Sequence, residues 1–149
     1  MYNINMTNIA LIGCSSLKQN RSCQAKDLYL GKIFVLSYRI AKKENLPIFI
    51  LSAKYGLITE NDIIAPYDLS LKDLNNQGKK EWSQKVITKM NLLGIYNTTK
   101  HYFCGQSYHK YLPSGIYRLK GKGIGYIISN LKKELEEKSE NDSFFVWRS

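Results

Sequence analysis

Cysteine is scarce in this chain: three residues in 149, at Cys14, Cys23 and Cys104, with no CxxC pair. An odd, scattered set excludes a disulfide scaffold and makes the reducing cytoplasm the expected compartment. Only two histidines are present, His101 and His109. With so few soft ligands at unsuitable spacing, no metal site and no cofactor are expected. Acidic residues are few as well, 12 Asp plus Glu against 22 Lys plus Arg, leaving a net charge of +10. That excess points toward a polyanionic partner. No stretch approaches the roughly 18 apolar residues of a membrane span, so no membrane partner is expected. The segment from Met1 to Thr7 is polar and does not read as a secretory signal.

What is present is a core-forming composition. Hydrophobic residues make up 44% of the chain, enough to exclude wholesale disorder, and the length suits a single domain over 1–149. Tyrosine supplies 11 of the aromatic residues, and it is the aromatic best suited to a wet surface.

Short apolar runs alternate with helical periodicity. Asn8 to Cys14, Pro47 to Ala53 and His101 to Cys104 read as buried strands, and Gly115 to Leu119 as an edge strand. Ala25 to Glu44 reads as one helix, Gly78 to Leu93 as a second ending at Gly94, Gln106 to Leu112 as a short one and Gly125 to Glu137 as the last. Lys54 to Gln77 reads as irregular. The tail 138–149 is polar and then apolar, and is expected to dock on the body or on a partner. The alternation predicts an α/β fold with a mainly parallel central sheet. In such sheets ligands sit beyond the carboxyl ends of the strands, which directs attention to the loops after Cys14, Ala53 and Cys104.

Each loop carries chemistry-bearing residues. Cys14, Ser15, Ser16 and Lys18 follow the first strand with small side chains, hydroxyls and a cation. The same composition also suits a plain Ser-rich cap, and no GK[ST] ending marks it as a Walker loop. Ser52, Lys54 and Tyr55 follow the second strand, suited to an anion or a base, or to a polar turn closed by Gly56. Tyr67 and Asp68 follow Pro66, and Asp68 is an isolated carboxylate. Such a group serves as a general base or stabilises a cation, and it equally serves as a helix cap or Asx turn. Gly105, Gln106 and Tyr108 follow the third strand. Residues 100–133 hold seven Lys or Arg, Lys110, Arg118, Lys120 and Lys122 among them, interleaved with tyrosines and without one acid. Cations neutralise phosphates and aromatic faces stack on bases, so this window points to nucleic acid, although charge runs also serve as solvated faces.

Taken in order, these stretches resemble a known family. The pattern is Cys-Ser-x-x-Lys after the first strand, then Ala25, Asp27, Leu28, Tyr29, Gly31 and Phe34, then Leu51 to Leu57 (LSAKYGL), Pro66 to Asp68, Trp82, Gly105 with Tyr108, and the Gly-x-Gly-Ile-Gly helix start. It resembles a domain family of bacteria and phages related to the core of archaeosine synthase and to YaaA-type peroxide-stress proteins. The resemblance runs from Ile9 to about Leu131. Two departures stand out: Asp27 replaces the usual Glu, and Thr59 to Asp62 replaces the frequent Pro-Asp after the Tyr-Gly-Leu motif.

The resemblance implies a three-layer α/β/α sandwich similar to uracil-DNA glycosylases, with a pocket at the strand ends. It implies site residues Ser15, Lys18, Ser52, Lys54, Tyr55, Tyr67, Asp68, Gly105 and Tyr108. The leading expectation is a glycosylase that cleaves the N-glycosidic bond of a target base, modified or not, in DNA ahead of RNA. Asp68, Lys54 and Tyr55 are its expected catalytic residues; Cys14, Ser15, Ser16, Lys18, Ser52, Tyr67, Gly105, Gln106 and Tyr108 hold the substrate; Lys110, Arg118, Lys120 and Lys122 hold the backbone. The alternatives are a base-modifying transferase similar to archaeosine synthase and a non-catalytic DNA- or RNA-binding protein. Oligomeric state is left open.

Overall fold

The computed structural model describes residues 6–148, and side chains through Glu137. Strand β1 (Asn8–Gly13) is flanked by β3 (Ile48–Ser52) and β6 (Thr99–Phe103), both parallel to it. Strand β7 (Ile116–Tyr117) adds in parallel beyond β6, and β4 (Gly56–Thr59) turns back antiparallel beyond β3. The sheet order is therefore β4-β3-β1-β6-β7. A small antiparallel pair, β2 (Cys23–Gln24) with β5 (Ile63–Ile64), stands apart from it.

Successive side chains of a strand point to opposite faces, and here both faces are apolar. Ala10, Ile12, Ile48, Ile50 and Phe103 pack against α2 (Lys32–Lys43), through Phe34 and Ile40, and against Leu131 of α5 (Ile124–Arg148). Ile9, Leu11, Phe49, Leu51 and Tyr102 face the other way onto Trp82, Val86 and Met90 of α3 (Asn76–Leu93). The molecule is thus an α/β fold with a mostly parallel five-stranded sheet and helices on both faces. The central strands read as continuous apolar runs because neither face meets water.

Three elements differ from expectation. The helix foreseen over Ala25 to Glu44 is interrupted: α1 (Ala25–Leu28) is one turn, Tyr29 is extended, and α2 begins after Gly31. A tertiary pairing overrides the helical periodicity there. The backbone N–H of Leu30 donates to the Leu17 carbonyl at 2.9 Å, and that of Gln19 to Leu28 at 2.9 Å. Gly31 permits the close approach, because a Cβ at this position would lie 2.8 Å from the Ser15 Cβ. The stretch from Lys54 to Gln77 is not irregular throughout. It contains β4, β5 and a 3₁₀ turn (Leu71–Asp73) whose apolar residues are too few to show a period. Finally, α5 runs on to Arg148 rather than closing at Glu137. The expected docking of the tail concerns side chains outside the described residues.

Helix α3 matches its local signals closely. Asn75 caps its start by accepting the Gly78 N–H at 2.8 Å, and Gly94 ends it in the left-handed region at φ 72°.

Candidate functional site

The carboxyl ends of β1, β3 and β6 converge on one side of the sheet. A cleft of about 550 Å³ opens there, within the size range of small-molecule sites. Its apolar wall is Ile33, Phe34, Phe103, Leu119, Ile124, Ile127 and Ile128, contributed by α2, β6, the segment after β7, and α5. Lys18, Lys32 and Lys72 bring three cations, Asp68 one carboxylate, and Ser15, Ser16, Ser70 and Ser107 hydroxyls.

Beneath the cleft lies a connected set of hydroxyls and one thiol. The Ser52 Oγ accepts the Tyr55 backbone N–H at 3.0 Å and donates to the Tyr67 hydroxyl at 2.8 Å. Tyr67 in turn lies 2.8 Å from the buried Tyr29 hydroxyl. Cys14 Sγ accepts the Ala53 backbone N–H at 3.4 Å and lies 3.2 Å from the Tyr108 hydroxyl. Burial raises the pKa of Tyr67 and Tyr108 well above the ordinary tyrosine value, with Cys14 adding to both shifts, and pushes Tyr29 up to about 12. All three stay neutral, so they are hydrogen-bonding groups rather than phenolates at physiological pH. The indole N–H of Trp82 donates to the Ser52 carbonyl at 2.9 Å, fixing the end of β3 from the opposite layer.

Two local devices set the cleft's charge. The Leu17–Leu30 pairing carries Lys18 onto the Tyr67 ring, with Nζ 4.3 Å from the centroid, a cation–π contact that steadies the ammonium. Asp68, next in sequence to the anchored Tyr67, is exposed and makes no hydrogen bond or ion pair with other described residues. A positioned, unspent carboxylate is able to accept a proton or to stabilise a cation. Among the described residues no group of three His, Cys, Asp or Glu is placed to hold a metal ion, and no helix is long and apolar enough to cross a membrane.

The structure brings Cys14, Ser15, Ser16, Lys18, Asp68, Gly105 and Tyr108 to the cleft, with Ser52 and Tyr67 in the hydroxyl set below. It does not bring Lys54 and Tyr55 there. Tyr55 lines a separate groove of about 630 Å³ at the β4 edge, its hydroxyl donating to the Ala65 carbonyl at 3.2 Å. Lys54 is exposed, with Nζ 5.3 Å from the Tyr55 ring centroid. The turn itself lies at the carboxyl end of β3, but the Tyr55 ring packs edge-on against Tyr67 at 5.5 Å and lines the groove on the β4 side instead of the cleft. Gln106 is exposed on α4 (Gln106–His109), where Ser107 rather than Gln106 faces the cleft. Lys110, Lys120 and Lys122 are exposed, whereas Arg118 is engaged internally. Its guanidinium holds Glu44, which caps the C-terminus of α2, and Glu134 of α5 at 2.5 Å each and lies over the Phe103 ring.

Sequence reasoning missed Tyr29, Lys32, Ser70, Lys72 and Ser107 as site residues. Of these, Tyr29 belongs to the family pattern; the others carry no local signal, being ordinary polar residues on helices and turns.

The fold and cleft define a class: α/β domains with a parallel-sheet core and a ligand cleft at its carboxyl edge. Within that class the chain belongs to the family of unknown function DUF6884, whose profile matches residues 9–140. Neither the curated proteins nor the solved structures yield a match.

Proposed function

We propose that the strand-end cleft receives a nucleobase of a nucleic acid and that the protein is an N-glycosidase with a fold similar to uracil-DNA glycosylases. The observation that carries the reading is the pairing of one unspent carboxylate, Asp68, with an apolar wall and three lysines that have no carboxylate partner among the described residues. Planar heterocycles suit the wall formed by Phe34, Phe103 and the α5 isoleucines, and the adjoining phosphates suit Lys18, Lys32 and Lys72. A base within a duplex is first extruded from its stack.

The bond between sugar C1′ and the base nitrogen breaks, and its electron pair leaves with the base. The sugar develops oxocarbenium character, which Asp68 stabilises. A water oxygen bonds to C1′, Asp68 accepts the water's proton, and the departing base takes up a proton from solvent or from the Lys18 ammonium. In this reading Lys18 and Tyr108, which line the cleft, hold the departing base in place of Lys54 and Tyr55.

The test is the intact mass of single- and double-stranded oligonucleotides, with ordinary and modified bases, after incubation with the protein. Loss of one base mass, abolished by Asp68→Asn with affinity kept within several-fold, is the expected result. A mass gain instead identifies a transferase. Unchanged mass with tight binding identifies a binding module.

A further inference from the structure

The cleft accounts for one nucleotide, and a polymer needs a path beyond it. Tyr111, half-buried just after α4, has two ammonium groups beside its ring: Lys80 Nζ of α3 at 5.5 Å from the centroid and Lys110 Nζ at 5.3 Å. Lys80 and Lys110 are both exposed, and neither has a carboxylate partner among the described residues. The short helix α4, which Lys110 closes, packs between α3 and the 3₁₀ turn that carries Lys72. Lys72 and Ser107 both line the cleft. The fold thus sets a cation at the cleft, two cations about an aromatic ring next to it, and a single short helix between them. The nearest acids on these elements, Asp73 and Glu81, are exposed, and Glu81 accepts from Gln77 at 3.2 Å.

We propose that Lys110, Tyr111 and Lys80 form a second subsite, outside the cleft, that holds the single strand next to the nucleotide in the cleft. A base or sugar lies on the Tyr111 ring, and the two lysines neutralise the phosphates on either side. Stacking on an aromatic ring is tolerant of base identity because every base has a π-face, so this subsite adds affinity without choosing the target. The inference rests on the reading of the cleft as a nucleic-acid site, and it places part of the polymer-binding surface on α3, outside the acid-free window of residues 100–133.

The experiment is fluorescence anisotropy of a labelled single-stranded 20-mer, titrated with wild-type protein, Lys80→Ala/Lys110→Ala and Tyr111→Leu at several salt concentrations, with a thermal melt of each variant. The lysine variant is expected to flatten the slope of log affinity against log salt by about 0.7 for each phosphate that is no longer neutralised. Tyr111→Leu is expected to bind about 5- to 150-fold more weakly with its salt slope kept. Folded variants that bind like wild type overturn the subsite while leaving the cleft reading intact. Weaker binding by the variants, with no base released by wild type, supports the subsite and overturns the glycosidase. Failure of wild type to bind the strand overturns the subsite outright.

Discussion

The Tyr67 hydroxyl accepts the Ser52 Oγ proton across 2.8 Å, and this single bond ties the loop carrying Asp68 to the end of β3. Tyr67 is the hub of the buried set, reaching Tyr29 as well at 2.8 Å. Tyr67→Phe keeps the ring beneath Lys18 but strips two neighbouring hydroxyls of their shared partner. A loss of about 1–3 kcal/mol is expected, from the desolvation of groups left unpaired. Urea denaturation at neutral pH measures it, and a variant as stable as wild type removes the hub role.

Arg118 is expected to behave as a structural residue. It clasps Glu44 and Glu134 with only 12% of its side chain exposed, joining α2 to α5 across the end of β7. Arg118→Ala removes the largely buried guanidinium that pairs with both carboxylates, at an expected cost of about 2–4 kcal/mol. The same substitution is expected to leave the salt dependence of oligonucleotide binding unchanged. A flattened salt slope with undiminished stability would reverse the assignment.

Ser37 offers a substitution of the opposite sign. Its Oγ is buried on α2 and has no hydrogen-bond partner. Ser37→Ala removes a desolvated hydroxyl and gains helix propensity, so it is expected to stabilise the protein by about 0.5–1.5 kcal/mol. A raised melting temperature is the readout; a lowered one shows that the hydroxyl has a role in the fold.

Both histidines make stability depend on pH. Burial lowers the pKa of His109, which stacks on Tyr117 at 4.2 Å, and of His101, where Arg118 adds to the shift. A neutral His101 accepts from Arg118 at its Nδ1 and donates to Asn8 from Nε2, a pattern a second ring proton would break. The folded state therefore binds fewer protons than the unfolded chain below the ordinary value of 6.5. This contribution is whole above pH 6.5 and is lost as pH falls through the folded pKa values. Chemical denaturation at pH 7.5 and 5.5 checks it, and His109→Phe, which keeps a ring on Tyr117, is expected to reduce the difference. An unchanged difference excludes His109 as a contributor.

Much of this architecture is legible locally. Buried parallel strands announce themselves as short apolar runs, and α3 has its cap, its stripe and its terminal glycine in sequence. The loops after β1 and β6 are legible for the same reason: strand ends are readable, and the topology places them together. The second loop is less legible because the short strand β4, Gly56 to Thr59, has strand character only through pairing with β3, and because the Tyr55 ring packs on Tyr67, a residue outside that loop, instead of facing the cleft. Arg118 misleads because a basic residue in a basic window has no local mark of an internal partner; Glu44 lies far away in sequence and Glu134 on a separate helix.

The sequence by itself determined the α/β class, the strand-end location of the cleft and the surplus of positive charge, because composition and periodicity act residue by residue. Only the tertiary structure decided which polar side chains share that cleft. Lys18 reaches Tyr67 through the Leu17–Leu30 pairing, Lys72 arrives on a 3₁₀ turn, and Tyr55 is carried to a different groove. Those outcomes depend on interactions between residues distant in the chain, whose energies exist only once the sheet has brought its ends together.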